Sequence, residues 1–514
     1  MAIPEEIRKV PRPKNTIVVE NKNGKRYRYS VIERIGCEYR NGKNIPINGK
    51  TIGHIIDNTY VPKNPKLSER PISLKKWAGY ELCATVGESL IQELREVYDV
   101  KDADKIFTIA LTRVINRDCP DYMIQHHYEE SWLSELYPGV SLSKNVISKF
   151  LKSIGNDYAG ITTFMTNRVS KVEKDQHIAI DGMLKSYTSD DNSLSQYSRK
   201  ARIKGCQDIS VVFAYNIETC EPICSKVFAG NIVDSTAYDS FLKDNGIEKG
   251  LILTDKGFPP KKVREYFAEK EDLRFLTPLK RDDKRIEEND LYSYSGVIND
   301  ADKDVQYKKV KVDDKTIFYS FYNRKLAAKE EHDFFERNKD KEYDSSEWKK
   351  AKERFGTIVF ESNYDTSCEV IYKAYNERWL VEEFFRAYKH ITEFTDGREH
   401  SDAAIIGSEF VNFISSVITS KLINVFDKTE LLKEYTYREI MEFLNSAYKY
   451  KTSEKSGWKT AALTAKNTSV LERLGLADPA TKSPAAKSEN EAGGVEKKKR
   501  GRPKGSKNKP KESN

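Results

Sequence analysis

The sequence predicts a mixed α/β fold, and three observations support that class. Residues 175–279 alternate between short apolar runs and amphipathic segments, in the order β-β-β-α-β-α-β. Two of the apolar runs end in an aspartate, Asp181 in "QHIAID" and Asp255 in "KGLILTD". A later strand, "GTIVFESN", precedes a helix that carries Glu382. Because open α/β sheets present their ligand-binding groups at strand ends, the three carboxylates are candidates for one site.

The helix "AYNERWLVEEFFRAYKH" has one apolar side and one side of a different character. At about 100° per residue, Tyr375, Arg378, Glu382 and Lys389 fall within roughly a 60° stripe. The ordinary interpretation is a solvated face, on which Glu382 and Arg386 are spaced for an i,i+4 ion pair. The functional interpretation is a side that offers a phenol, two cations and a carboxylate in a row, and it depends on whether the rest of the chain supplies partners for Glu382.

The regions on either side of this segment have simpler patterns. Residues 14–62 contain short strand patterns separated by NG-type turns, which indicate hairpins. From about 72 to 170 the pattern is that of amphipathic helices. Residues 280–355 are highly charged and contain the strand-like run "VQYKKVKVDDKTIFYSFY", and two helical patterns follow the stripe-bearing helix. Residues 478–496 have the composition of a linker.

Composition restricts the class of protein. Hydrophobic residues make up 38% of the chain and charged residues 32%, and we expect no apolar stretch long enough for a membrane helix. The seven cysteines are scattered and odd in number, which favours a reducing cytosol over a disulfide framework. Cys220 and Cys224 have no second pair at zinc spacing, so two buried thiols are the simpler interpretation. We therefore expect a cytoplasmic protein without a membrane partner.

Positive charge is concentrated at the carboxyl end of the chain. The net charge is +8, whereas "KKKRGRPKGSKNKPK" at 497–511 alone carries nine basic residues and no acid. The rest of the chain is therefore close to neutral, and the tail has the character of a polyanion-binding arm.

Taken together, the motifs resemble those of the IS4-type DDE transposases of bacterial insertion sequences. The spacing Tyr375-x2-Arg378-x3-Glu382-x6-Lys389 matches the YREK signature of that group, and the strand-end aspartates Asp181 and Asp255 precede it. The segments "IDGM", "AGNIVDS", "TDKGF" and "IIGSEFVNFI" are also similar. The resemblance covers about 175–425 and is greatest to the IS1634-like members.

The resemblance implies an RNase H-like catalytic core, a mixed five-stranded sheet with flanking helices, interrupted by a β-rich insertion. It implies cut-and-paste DNA transposition by phosphodiester hydrolysis and transesterification. Asp181, Asp255 and Glu382 would hold two Mg²⁺ ions, with Mn²⁺ as a substitute, since three carboxylates suit a two-metal site. Tyr375, Arg378 and Lys389 would hold phosphates of the transposon end.

Two further positions are candidates for DNA contact. Trp348 lies in the insertion and would serve either as a platform for a flipped base or as a packing residue, and the sequence favours neither. The tail contains Arg500-Gly501-Arg502-Pro503, which resembles an AT-hook whose arginines enter an A·T-rich minor groove. The alternative is a polybasic arm without sequence preference.

These observations divide the chain into seven segments and lead to one functional expectation with two rivals. The segments are a β-rich region at 1–70, a helical region at 71–172 expected to bind DNA ends, core parts at 173–279 and 355–425, an insertion at 280–354, a helical region at 426–477 and a tail at 478–514. The expected partners are double-stranded terminal inverted repeats and target DNA, bound by a homodimer at the nucleoid. The rivals are a DNA-binding protein without catalysis and a structure-specific nuclease.

Overall fold

The amino-terminal region forms a small antiparallel sheet. The computed structural model describes residues 3–476 except 22–26, 41, 64–71, 118, 188, 190, 199–206, 233, 255–260, 299–304, 340–344, 378–381, 383–395 and 398. After helix α1 (Glu5–Lys9) come β1 (Thr16–Glu20), β2 (Tyr29–Arg40), β3 (Lys43–Ile56) and β4 (Thr59–Pro62), in sheet order β1-β2-β3-β4. Six side chains from Ile7 to Ile55 form a core of their own beneath it.

A helical region follows a short strand, β5 (Ser73–Lys76). Its helices are α2 (Ala78–Val86), α3 (Glu88–Arg95), α4 (Val100–Ile115), α5 (Asp121–Glu129), α6 (Leu133–Leu136), α7 (Lys144–Asn156) and α8 (Tyr158–Ser170). Side-chain caps define two of these starts, since Asp99 accepts from the Asp102 amide and Asp157 from the Gly160 amide.

The central sheet begins with β6 (His177–Tyr187), which lies at its middle. The succeeding elements are β7 (Gln196–Tyr197), β8 (Gln207–Asn216), β9 (Glu221–Ala229), α9 (Asp234–Asp244), β10 (Gly250–Leu253), α10 (Lys261–Glu269) and β11 (Leu273–Pro278). β8 pairs antiparallel with β6 and β9, whereas β10 pairs parallel with both β6 and β11. The predicted mixed α/β class is confirmed.

The insertion extends this sheet. Its elements are α11 (Lys284–Glu288), β12 (Gly296–Ile298), β13 (Val305–Asp313), β14 (Thr316–Asn323), α12 (Arg324–Arg337) and α13 (Ser345–Arg354), and β15 (Thr357–Ser362) and α14 (Cys368–Asn376) follow. β15 pairs antiparallel with β14 on one side and with β11 on the other. The strands of the insertion therefore continue the central sheet.

The carboxyl-terminal part returns to the helical region. It contains β16 (Asp396–Gly397), the long helix α15 (Asp402–Lys428), a 3₁₀ turn (Leu431–Lys433), α16 (Tyr437–Asn445), β17 (Tyr448–Lys451), β18 (Lys459–Thr460) and α17 (Ala465–Arg473). β17 pairs with β18 and with β5, so strands about 370 residues apart form a three-stranded sheet.

Helix α15 joins the helical region to the central sheet. One continuous hydrophobic cluster extends from Trp77 to Leu471 and includes most of the inward side chains of α15. The helix packs against α4 and α7 on one side and β9 on the other. The helical region and the central sheet therefore share one core, which burial of apolar surface stabilises.

Helix α15 also corrects one prediction. By length and composition it could cross a membrane, contrary to the expectation that no stretch reaches that limit. Most of its residues are buried inside the protein. Helices that are apolar on nearly all sides are found in protein cores as well as in membranes, and the packing of α15 accounts for its composition.

All six cysteines that the structure describes are free thiols. Cys224 is buried, and burial raises the pKa of its thiol well above the ordinary value. Cys220 is only half-buried. The prediction of two buried thiols is therefore confirmed for Cys224 but not fully for Cys220.

Candidate active site

Asp181 lies in the middle of the central strand of the sheet and not, as the sequence predicted, at its end, because β6 stays paired with β8 as far as Tyr187. It is half-buried on β6, opposite Phe213 of β8, and its Oδ1 accepts a hydrogen bond of 2.8 Å from the Gly182 amide. Ile178, Ala179 and Ile180 directly before it are buried, and they anchor the strand in the core. Asp181 is therefore a carboxylate fixed by a rigid element and reachable from one side.

The neighbouring strand β10 precedes the second predicted carboxylate, Asp255, in the chain. β10 runs parallel to β6, with Leu253 in register with Ala179. Thr254, directly after β10, is buried. Asp181 lies two residues beyond Ala179, and Asp255 lies two residues beyond Leu253 in the chain but outside the described residues.

The predicted stripe is described in part. Tyr375 lies in the last turn of α14, half-buried, with its ring centroid 4.4 Å from that of Phe360 on β15. Glu382 is helical and exposed. Arg378 and Lys389 lie outside the described residues, so the alignment of all four side chains stays a prediction.

A buried polar network lies behind the strand that carries Asp181. Lys185, four residues further along β6, donates a 2.6 Å hydrogen bond to Glu409 Oε1 on α15. The same oxygen accepts from the Tyr187 hydroxyl at 3.1 Å and from the Asn412 amide at 3.2 Å. Lys185 is 7% exposed and Glu409 only 2%, so each needs the other's charge.

The network continues into the helical region through Arg113 of α4. Its guanidinium donates to the Asn412 Oδ1 at 2.8 Å and to Asp121 at 3.1 Å. Burial alone would lower the pKa of Arg113, but Asp121, Glu399 and Glu409 raise it above the ordinary value. Arg113 therefore stays charged and ties the helical region to the helix that supports β6.

Sequence reasoning did not find this network. Glu409 stands in the apolar run "IIGSEFVNFI", where a lone acid among hydrophobic residues was a usable signal. Its partners Lys185 and Tyr187 lie more than 200 residues away in the sequence, and only the fold brings them to Glu409.

Trp348 of the insertion lies in an aromatic cluster. It is half-buried on α13, and its ring centroid lies 4.8 Å from that of Phe335, 5.7 Å from that of Phe334 and 6.0 Å from that of Phe355. These are the contacts of a packing residue, although the half-exposed ring leaves the base-platform hypothesis open to test.

The remaining predicted groups lie elsewhere in the chain. Within the part of the chain that the structure describes, no three His, Cys, Asp or Glu side chains come together at metal-binding distances. That part includes Asp181 and Glu382 but not Asp255. Arg500, Gly501, Arg502 and Pro503 of the tail lie outside it as well.

Comparison with known proteins identifies the central segment. Residues 173–400 match the family model described as "Transposase DDE domain", and this match supports a DDE transposase family. No curated protein sequence matches the chain. Among solved structures, the chain is similar to a piggyBac transposase synaptic complex with hairpin DNA, with a TM-score of 0.39 and 12% identity over 74% of this chain and 81% of that chain. At that level the structural likeness adds nothing to the family match.

Proposed function

We propose that this protein is a Mg²⁺-dependent DNA transposase that cuts transposon ends and joins them to target DNA. The observation that carries the proposal is the match of residues 173–400 to the transposase DDE domain, because it contains Asp181, Asp255 and Glu382. We further propose that it is an IS4-type, IS1634-like transposase of an insertion sequence, and the spacing of Tyr375, Arg378, Glu382 and Lys389 supports this.

The topology of the sheet supports an RNase H-like core. Its five central strands run in the order β9-β8-β6-β10-β11. β8 runs antiparallel to its two neighbours β9 and β6, and β10 and β11 run parallel to β6. Asp181 lies within the middle strand, and Asp255 follows the neighbouring parallel strand in the chain, so the two carboxylates belong to adjacent strands of the sheet.

The donor set suits magnesium. Carboxylate oxygens are the ligands that Mg²⁺ prefers, and the three carboxylates would hold two ions. Asp181 fits such a role because it is half-buried on a rigid strand and keeps a reachable side. When bound, the ions would supply activation of a water or a 3′-hydroxyl and stabilisation of the leaving oxygen.

The side chains around the carboxylates would position the DNA. Arg378 and Lys389 would bind phosphate oxygens of the transposon end, and the Tyr375 hydroxyl would donate to another. Trp348 would stack against a base displaced from the helix, and the arginines of the tail would enter the minor groove. Two ends must be cut together, so we propose a homodimer, working on the DNA of the nucleoid.

The proposal is tested by strand cleavage and strand transfer. A labelled duplex with the element's terminal inverted repeat is incubated with the wild type or with Asp181→Ala, in Mg²⁺, in Mn²⁺ and in EDTA. We expect metal-dependent nicking followed by joining to a second duplex, both absent in the variant and in EDTA. Nicking without joining would identify a nuclease instead, and binding without any cut would identify a DNA-binding protein.

The role of the stripe is tested separately. Glu382→Ala should lower cleavage by at least a hundredfold while end binding changes by only a few fold, since an exposed carboxylate contributes little to folding. Gel-shift titration of the same duplex provides the binding measurement. Loss of binding together with cleavage would show that Glu382 is structural. Glu369→Ala is the control for loss of one negative charge, since Glu369 is an exposed acid in the first turn of α14.

A further inference from the structure

We propose that the three-stranded sheet formed by β5, β17 and β18 binds the phosphate backbone of duplex DNA. This "lysine–tryptophan sheet" comprises those strands, the loop 452–458 and the rings of Trp77, Trp132 and Trp458. The choice of DNA rests on the proposed function. The surface itself is defined by charge and geometry, and none of its residues belongs to the active site.

The tryptophans hold the lysines in place. Three of the chain's five tryptophans lie here. Lys449 Nζ lies 4.3 Å from the ring centroids of both Trp77 and Trp132, and Lys451 Nζ lies 4.5 Å from that of Trp458. Cation–π contacts of this kind fix an ammonium group without neutralising its charge. The lysines are therefore arranged as cations that a phosphate can still pair with.

The pairing of the strands places like charges together. Lys449 of β17 lies directly opposite Lys75 of β5. Like charges at directly opposite positions destabilise an antiparallel sheet. Lys75 is compensated by Glu135 at 2.8 Å, and this carboxylate also accepts from the Trp458 indole at 3.2 Å. The chain thus retains an unfavourable arrangement, which a bound anion would relieve.

The other lysines lack a direct ion pair. Within the described part of the chain, no carboxylate lies within 4.0 Å of the ammonium groups of Lys449, Lys451, Lys455 or Lys459, and Lys451 is attracted only at longer range by Glu135, which Lys75 already pairs with. Residues 448–460 carry these four lysines against one acid, Glu454. Lys455 and Lys459 are exposed, and Lys451 is half-buried.

Lys449 and Lys451 project from one face of β17, whereas Lys459 lies opposite Tyr450 and projects from the other face. The two lysines backed by aromatic rings, together with Lys455 of the adjoining loop, form a cationic surface that can pair with phosphates of a duplex.

The first test removes the exposed charges. The variant carries Lys451→Gln and Lys455→Gln, and its matched control carries Lys174→Gln and Lys249→Gln, two exposed lysines elsewhere. Affinity for a duplex of random sequence is measured by fluorescence anisotropy over a range of salt concentrations. We expect affinity to fall about fivefold or more and the slope of log K against log salt to fall by about one to two units. The control should change affinity by about twofold at most, because distant surface charges are screened.

The second test needs no substitution, so it does not depend on how a variant folds. Lysines of the wild type are acylated with and without the duplex, and their modification is followed by mass spectrometry. We expect protection of Lys451 and Lys455 but not of Lys174 or Lys249, nor of Lys459 on the other face of the sheet. Equal labelling with and without DNA, or an unchanged salt slope in the variant, would overturn the proposal. Competition by polyglutamate but not by duplex DNA would overturn it in favour of an acidic protein partner.

Failure here can be distinguished from failure of the proposed function. If the wild type cleaves and joins DNA while the variant keeps the full salt slope, only the role of the lysine–tryptophan sheet is wrong. If the wild type binds no duplex at all, both proposals fail.

Discussion

At the residue scale, the Lys185–Glu409 pair is the most consequential contact that the sequence did not predict. It lies on the strand of Asp181, buried between β6 and α15. Two buried charges are stable only while paired, because an unpaired buried charge has lost its hydration and has no opposite charge to compensate for it. The position of the candidate catalytic strand therefore depends on an ion pair more than 200 residues apart in sequence.

Removing one member of this pair should be far more damaging than removing both. We expect Lys185→Met to lower the free energy of unfolding by about 3–5 kcal/mol, because Glu409 is left charged and buried. The double variant Lys185→Met/Glu409→Met should recover most of that loss. Urea unfolding followed by circular dichroism measures both.

The control for this prediction is an exposed pair. Lys243 lies 2.9 Å from Asp239 on α9, with side chains 49% and 28% exposed. Lys243→Met should change the free energy of unfolding by less than about 1 kcal/mol. A double variant as unstable as Lys185→Met alone would contradict the explanation by an unpaired charge.

At the element scale, the crossing of α7 and α15 depends on two glycines. A Cβ at Gly155 would lie 1.7 Å from the Ala403 carbonyl oxygen, and one at Gly407 would lie 2.0 Å from that of Leu151. Only glycine lets the two backbones approach this closely. The contact joins the helical region to the helix that supports the central sheet.

An added methyl group should separate these helices. Gly155→Ala normally favours a helix by about 1 kcal/mol, but here we expect a net loss of about 1–3 kcal/mol because backbone must move. The shift in thermal unfolding midpoint measures it. Gly457→Ala is the control, since nothing lies within 4 Å of its added Cβ. A Gly155→Ala protein as stable as wild type would show that the helices can separate without cost.

Local elements could be predicted and distant pairings could not. The existence of the strand with Asp181 follows from its apolar run, which local sequence encodes, but its end does not, since β6 continues to Tyr187. Of the helix predicted at 374–390, the structure describes Tyr375 at the end of α14 and a helical Glu382. The lysine–tryptophan sheet could not be predicted, because four-residue strands are barely distinguishable from loops and β5 finds β17 only through the tertiary fold. The continuation of the central sheet into the insertion could not be predicted either, because the pairing of β15 with β14 and with β11 is decided by the tertiary fold.

At the scale of the whole molecule, the seven predicted segments are less independent than their composition implies. Residues 71–172 have the pattern of a separate helical domain, yet their side chains share one hydrophobic cluster with the central sheet and with α15. The segment boundaries mark positions where the sequence pattern changes. They do not show which apolar faces pack against each other in the folded protein. DNA bound by the helical region would therefore be rigidly placed relative to Asp181.

The tail is the part of the molecule whose contribution can be measured alone. Residues 497–511 carry nine basic residues, and the rest of the chain is close to neutral. Each phosphate that a cation neutralises contributes about 0.9 to the slope of log K against log salt. Deleting 494–514 should therefore weaken DNA binding at physiological salt and flatten its salt dependence by several units. A tail of equal length with the basic residues changed to glutamine should behave like the deletion, whereas an unchanged slope would show that the tail does not contribute to DNA binding.

The double variant Arg500→Ala/Arg502→Ala distinguishes the two interpretations of the tail. An AT-hook predicts loss of preference for A·T-rich over G·C-rich duplexes, because arginines enter a narrow minor groove, and a polybasic arm predicts that no such preference exists in the wild type.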